Sequence, residues 1–164
     1  MQAHRRTRYL PTVLLTALAS GSMAVLGASY AHAAVLSFGD FPGGVYGGDN
    51  CADVRAGSLD VGTPVDSFNC TAAPNQQFEF NGKTIYALGG QTCLDVASPD
   101  SNPTPGTLVD SYPCNGGPNQ QWTYQNGEII NASGLCLDAT SGGQNEQLVV
   151  NTCAAVASQQ WQIK

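Results

Sequence analysis

The sequence predicts a closed, threefold all-β domain, and three observations carry that prediction. The first is repetition. Cys51-Ala52-Asp53-Val54, Cys93-Leu94-Asp95-Val96 and Cys136-Leu137-Asp138-Ala139 recur at intervals of 42 and 43 residues. Each is followed by a second word: Asn75-Gln76-Gln77-Phe78, Asn119-Gln120-Gln121-Trp122 and Ser158-Gln159-Gln160-Trp161. Two independent words in one order, three times over, mark a single supersecondary unit used three times. The second observation is local pattern. β-Branched and aromatic residues alternate in short runs such as 83–88 and 107–112, between turn clusters such as Ser101-Asn102-Pro103-Thr104-Pro105-Gly106, and no stretch carries a helical period with caps. The third is size. Four short strands per unit give about twelve strands, in units too short for propeller blades and too compact for a solenoid.

From the N-terminus, Arg5, Arg6 and Arg8 precede the apolar stretch Leu10 to Leu26, which leads to the small-residue triplet Ala31-His32-Ala33. That is the layout of a secretory signal peptide over residues 1–33. The alternative is an uncleaved anchor of only marginal spanning length, and Thr7-Arg8-Tyr9 fits a twin-arginine signal poorly. The folded domain is then 34–164, with repeats at about 34–79, 80–123 and 124–164. Cleavage removes both histidines, leaves Arg55, Lys83 and Lys164 as the basic side chains, and keeps all twelve carboxylates. Binding that tracks a phosphate backbone, and hence a nucleic-acid partner, is excluded by that balance, and no membrane segment remains after cleavage.

All six cysteines (Cys51, Cys70, Cys93, Cys114, Cys136, Cys153) fall in the exported part. An even count in a small exported domain reads as disulfides, with fifteen pairings open. The expected pairing is sequential, one bridge per repeat, each closing a loop of about twenty residues worth about 3 kcal/mol. No Cys-x-x-Cys is present to suggest a zinc ribbon or a redox motif, and no dense acidic loop suggests calcium. No metal and no cofactor is expected.

Within the repeats, Phe78, Trp122 and Trp161 stand at equivalent points and are expected to meet in the core. The amides of Gln76, Gln120 and Gln159 read first as groups that fix local backbone. Period-two alternation puts Asp66 and Phe68 on one strand face, and likewise Asp110 and Tyr112. An aromatic ring beside a carboxylate suits a sugar, whose C–H face stacks on the ring while its hydroxyls donate to the acid. Asn75 and Asn119 add amides that donate and accept.

With these words, residues 45–164 resemble the ricin B-chain type β-trefoil lectins, marked by a Cys-Leu-Asp segment and a Gln-x-Trp segment in each of three repeats. The resemblance implies a disulfide-bonded β-trefoil and a secreted, non-catalytic lectin. By position it implies carbohydrate-binding sites at Asp53, Asp66, Phe68, Asn75 and Gln76 in the first repeat, and at Asp95, Asp110, Tyr112, Asn119 and Gln120 in the second. Asp66 and Asp110 depart from the family, which often has Gln there. The third repeat keeps Asp138 and Gln159, but Asn151 replaces the aromatic and Ser158 the asparagine. A degenerate third site is therefore expected, with Asp138 stabilising its own turn. The ligand class is a galactose-, xylose- or mannose-containing glycan or polysaccharide, held by multivalency. The chain ends three residues after Trp161, so a catalytic partner such as a secreted glycosidase is expected to be a separate polypeptide.

Two other function classes find less support in the sequence. Catalysis has no histidine and no free thiol to work with, and carboxylate pairs that recur with the repeat suit binding better than one reaction centre. A protein-binding or protease-inhibitor trefoil would act through a loop, and the Pro-stiffened segment Asp100 to Gly106 is the candidate.

Overall fold

The computed structural model describes residues 34–38 and 50–164, so the expected signal segment 1–33 lies outside the described residues. Three units follow one another. The first holds β1 (Ala34–Phe38), β2 (Asn50–Val54), β3 (Thr63–Asn69) and β4 (Gln77–Asn81). The second holds β5 (Thr84–Ala87), β6 (Thr92–Val96), β7 (Thr107–Tyr112) and β8 (Trp122–Gln125). The third holds β9 (Glu128–Asn131), β10 (Leu135–Asp138), β11 (Glu146–Gln147), β12 (Val149–Thr152) and β13 (Trp161–Ile163). The thirteenth strand arises because β11 and β12 are one strand position interrupted at Leu148. There the backbone N–H donates to Val65 O and the carbonyl accepts from Val109 N, each at 2.9 Å.

Closure is threefold. The start of β3 pairs the end of β7 (Thr63 opposite Ser111), the start of β7 pairs β12 (Leu108 opposite Val149), and β11 pairs the end of β3 (Glu146 opposite Ser67). Each of these strands also forms a hairpin with the strand that carries the cysteine word: β2 with β3, β6 with β7, β10 with β12. Three further antiparallel pairs cap the ring: β4 with β5, β8 with β9, and β13 with β1, the last joining the two ends of the domain. The β8–β9 turn is Asn126-Gly127, with φ of 53° and 84°, the double left-handed geometry that two-residue hairpins require.

One core serves all three units. Phe78, Trp122 and Trp161 are at most 2% exposed and share an apolar cluster with Leu36, Ile85, Leu94, Ile129 and Leu137. A buried indole needs a partner for its N–H. Trp122 Nε1 donates to Leu94 O and Trp161 Nε1 to Leu137 O, both at 2.9 Å. Both bonds tie the glutamine-containing word to the cysteine word of the same unit. The disulfides Cys51–Cys70, Cys93–Cys114 and Cys136–Cys153 follow the sequential pairing, with Cα atoms 5.0–5.1 Å apart. Short 3-10 turns occur as well, and three of them, Pro74–Gln76, Pro118–Gln120 and Ala157–Gln159, present the conserved spacing of the glutamines to the cysteine strands. Among the described residues no helix is long and apolar enough to cross a membrane.

Candidate functional site

In every unit the aspartate of the cysteine word is held by the glutamine that follows the second cysteine. Gln76 Nε2 donates to Asp53 Oδ2 at 2.9 Å, Gln120 Nε2 to Asp95 Oδ2 at 2.7 Å and Gln159 Nε2 to Asp138 Oδ2 at 2.9 Å. The second amide hydrogen goes to the carbonyl of Asn69, Pro113 or Thr152. Each amide oxygen accepts backbone N–H groups just past the second cysteine, at Thr71, Asn115 and Ala154. The three glutamines are 0–1% exposed with both ends of the amide committed. They reach any surface pocket only through the aspartate that they orient, a clamp repeated three times.

The residues around that clamp differ between units. In unit two, Asn119 Nδ2 donates to both oxygens of Asp95, at 2.8 and 2.7 Å. Asp110 lies directly across the strand pair from Asp95. Asp95, Asp110, Tyr112 and Asn119 all line one cleft of about 520 Å³. Its far wall is Ser98, Pro99 and Ser101, from the segment that runs into the candidate inhibitory loop. The bend is pinned by Ser101 N donating to Ser98 O and Ser98 Oγ donating to Asp100 Oδ1. Gly117 completes the rim, where a Cβ would sit 2.7 Å from Asn119 Oδ1 and 2.9 Å from Asn115 Oδ1, so only glycine leaves both amides in place. Tyr112 is 38% exposed and offers a ring to solvent.

The acids of this cleft are buried against their nature. Burial pushes Asp95 above the usual carboxylate range, and the Gln120 and Asn119 amides oppose that rise. Burial, with the neighbouring Asp95 charge, raises Asp110 to about 6. Among the described residues no side-chain hydrogen bond or ion pair reaches Asp110, and its Oδ1 is buried without a partner.

Unit one places the same residue types differently. Asp66 lies opposite Asp53, but Arg55 forms a two-pronged ion pair with it, Nε to Oδ2 at 2.6 Å and Nη2 to Oδ1 at 2.8 Å. Asn75 Nδ2 donates to Asp53 Oδ1 at 2.8 Å and to Val54 O at 3.1 Å. Asp53 is raised by burial, opposed by Gln76 and Asn75 and reinforced by the Asp66 charge. Phe68 is half-buried. Arg55 follows Cys51-Ala52-Asp53-Val54 directly, so its counterparts are Ala97 in unit two and Thr140 in unit three. The sequence had offered Arg55 only as one of three basic residues, yet its place one step after the cysteine word was the available signal.

Unit three lacks the second acid, with Val149 opposite Asp138. Asn151, at the aromatic position, donates to Asp138 Oδ2 at 3.0 Å, and Thr140 N donates to Oδ1 at 2.7 Å. Burial would raise Asp138, but bonds from Asn151, Thr140 N, Gln159 and Ser158 outweigh it and hold the group below its ordinary value.

With the geometry in hand, comparison with known proteins is informative. The model of the ricin-type beta-trefoil lectin domain matches residues 43–161. Among solved structures, the agglutinin of Abrus precatorius is similar at 26% identity and a TM-score of 0.65, over 82% of this chain and 49% of that one. The chain thus spans about half the length of that relative. A β-trefoil lectin of the Vibrio vulnificus hemolysin/cytolysin, solved with N-acetyl-D-lactosamine, shares the fold at 19% identity and a TM-score of 0.63, over 82% and 95% of the two chains. The designed threefold-symmetric ThreeFoil does so at 24% and 0.61, over 70% and 89%. No curated protein matches the chain.

Proposed function

Because this chain belongs to the family of ricin-type beta-trefoil lectin domains, we propose that it is a secreted, non-catalytic carbohydrate-binding protein. Residues 1–33 export it, and its glycan sites lie in units one and two. The observation that carries this reading is the convergence of Tyr112, Asp95 and Asn119 on one open cleft. A pyranose stacks its C–H face on Tyr112, donates vicinal hydroxyls to Asp95 and exchanges hydrogen bonds with Asn119. Gln120 contributes by fixing the acid before the sugar arrives, which lowers the cost of ordering it. Unit one uses Asp53, Phe68 and Asn75 in the same roles, with Gln76 as the clamp and with Asp66 covered by Arg55. Unit three has no such site, because Asn151 stands at the aromatic position and bonds Asp138, and Val149 replaces the second acid.

A single shallow site of this kind binds near the millimolar range, about −4 kcal/mol. Two sites on one rigid body add about 10² on a dense glycan, so polysaccharide is the natural target and monosaccharide a weak one. Galactose-, xylose- and mannose-containing glycans are the classes to test. N-acetyl-D-lactosamine on the Vibrio vulnificus lectin supports including galactosides. Three disulfides suit an extracellular, oxidising setting, where a secreted glycosidase acting on the same polysaccharide is the companion to test. Against a loop-borne inhibitor stands the position of Ser101, inside segment 100–106, which lines the cleft together with Ser98 and Pro99.

The test is glycan-array binding by the purified protein beside a Phe68→Ala/Tyr112→Ala variant shown by circular dichroism to stay folded. Binding to a defined sugar class that is lost in the variant is expected. Absence of any glycan binding, or binding unchanged in the folded variant, overturns the reading and moves attention to segment 100–106.

A further inference from the structure

The protein itself shows what an acid at the Asp66/Asp110 position accommodates. In unit one the carboxylate receives two N–H donors of a guanidinium. In unit two the residue that would supply that cation is Ala97, a side chain that ends at Cβ. The acid has nevertheless been kept, nine-tenths buried, in contact with the cleft and, among the described residues, with no side-chain partner. A buried, unpaired carboxylate beside a second one is costly. Unit three removes that cost by placing Val149 there, and unit one by providing Arg55. Unit two does neither.

Building on the proposed lectin role, we propose that the unit-two cleft selects glycans that carry a free protonated amine, an unacetylated amino sugar, whose ammonium takes on Asp110 the place that Arg55 takes on Asp66. The ammonium supplies a charge-assisted N–H donor to the Asp110 carboxylate where it meets the cleft, since Oδ1 itself is enclosed. Tyr112 and Asn119 meet the ring and its hydroxyls on the same wall of the cleft, which favours a sugar over a bare lysine side chain. A hard metal ion fits less well, since it needs six or more oxygens and the cleft lining brings two carboxylates, Asp95 and Asp110. The acidic balance of the chain, with twelve carboxylates against six basic side chains in the full sequence, draws a cationic polymer toward the surface.

Calorimetric titration at neutral pH, with glucosamine and galactosamine oligomers each set against its N-acetylated form, tests this directly. The free amines are expected to bind about tenfold more tightly, the gain of one hydrogen bond to a charged group. Asp110→Asn is expected to erase that difference between the free and the N-acetylated forms. Ala97→Arg, which moves the ion pair of unit one into unit two, is expected to do the same, and Arg55→Ala to give unit one a preference for amines that it lacks. Binding of the neutral forms without any preference for amines overturns this inference alone, as does a preference that survives Asp110→Asn. A preference abolished by a chelator assigns the site to a metal ion, and equal competition by lysine amide assigns it to cationic peptides; either result overturns the amino-sugar assignment. If neither form binds, the lectin reading falls with it.

Discussion

Units one and two share a cysteine word, a clamping glutamine, an asparagine and a pair of facing aspartates, yet they treat the second aspartate differently. In unit one the second acid is neutralised by Arg55, and in unit two its counterpart stands unpaired in an open cleft. One residue, Arg55 against Ala97, separates the two states. The lesson is that a repeat conserves its scaffold through buried, fully bonded groups, while the character of each pocket is set by a neighbour outside both repeated words.

The largest expected effect tests the shared half of that comparison. Gln76→Ala and Gln120→Ala each remove a buried amide that holds an aspartate, a carbonyl and backbone N–H groups, and each is expected to cost about 2–4 kcal/mol in chemical denaturation. Costs that differ by more than about 1 kcal/mol would show that the clamp is not equivalent in the two units.

The next test addresses the half that differs. Asp110→Asn is expected to stabilise the protein at neutral pH by about 1–2 kcal/mol, since burial penalises the charge and nothing repays it. The sign follows from linkage. Asp110 is raised from 3.8 to about 6, so between those values the folded state holds a proton that the unfolded state releases, and stability falls as pH rises through that window. The penalty is complete above about 6 and absent below about 3.8. Thermal melts of the wild type and the variant should therefore diverge as pH rises from 4 to 7. Melts that stay parallel would mean that Asp110 is well solvated.

Asp66→Asn is expected to act in the other direction, and more weakly. It breaks the two-pronged pair with Arg55, but the guanidinium is about half exposed, so a loss of at most about 1 kcal/mol is expected. High salt should shrink that difference. A stabilising Asp66→Asn would remove the contrast between the units. Smallest of all is Tyr112→Ala, expected to change stability by less than about 0.5 kcal/mol, because the ring is partly solvent-exposed, while weakening glycan binding.

Much of the scaffold was legible in the sequence because it is written in repeated words. The cysteine pairs, the core aromatics and the strand faces carrying Asp110 and Tyr112 follow from periodicity that three copies reinforce. The split of the third unit's long strand at Leu148 was not legible, since it depends on pairing with Val65 and Val109 from other units. The backbone-fixing role of the glutamines is local, but their hold on the aspartates of the cysteine words is a contact across more than twenty residues. Strand alternation made Asp66 and Asp110 look alike, because it reports which face a residue occupies and not which cation stands beside it. Ser98 and Pro99 carry no sequence signal and Ser101 belongs to a turn cluster, and only the fold brings them together in the lining of the cleft.

The most direct test of the central claim is a two-dimensional NMR titration of the isotope-labelled protein with the best glycan from the array. The expected result is a set of amide shifts centred on Ala97, Ser98, Tyr112, Asn115 and Asn119, with weaker changes around Asp53 and Asn75 and none around Asp138. Shifts centred on Asp138, or confined to residues away from the unit-two cleft, would contradict it.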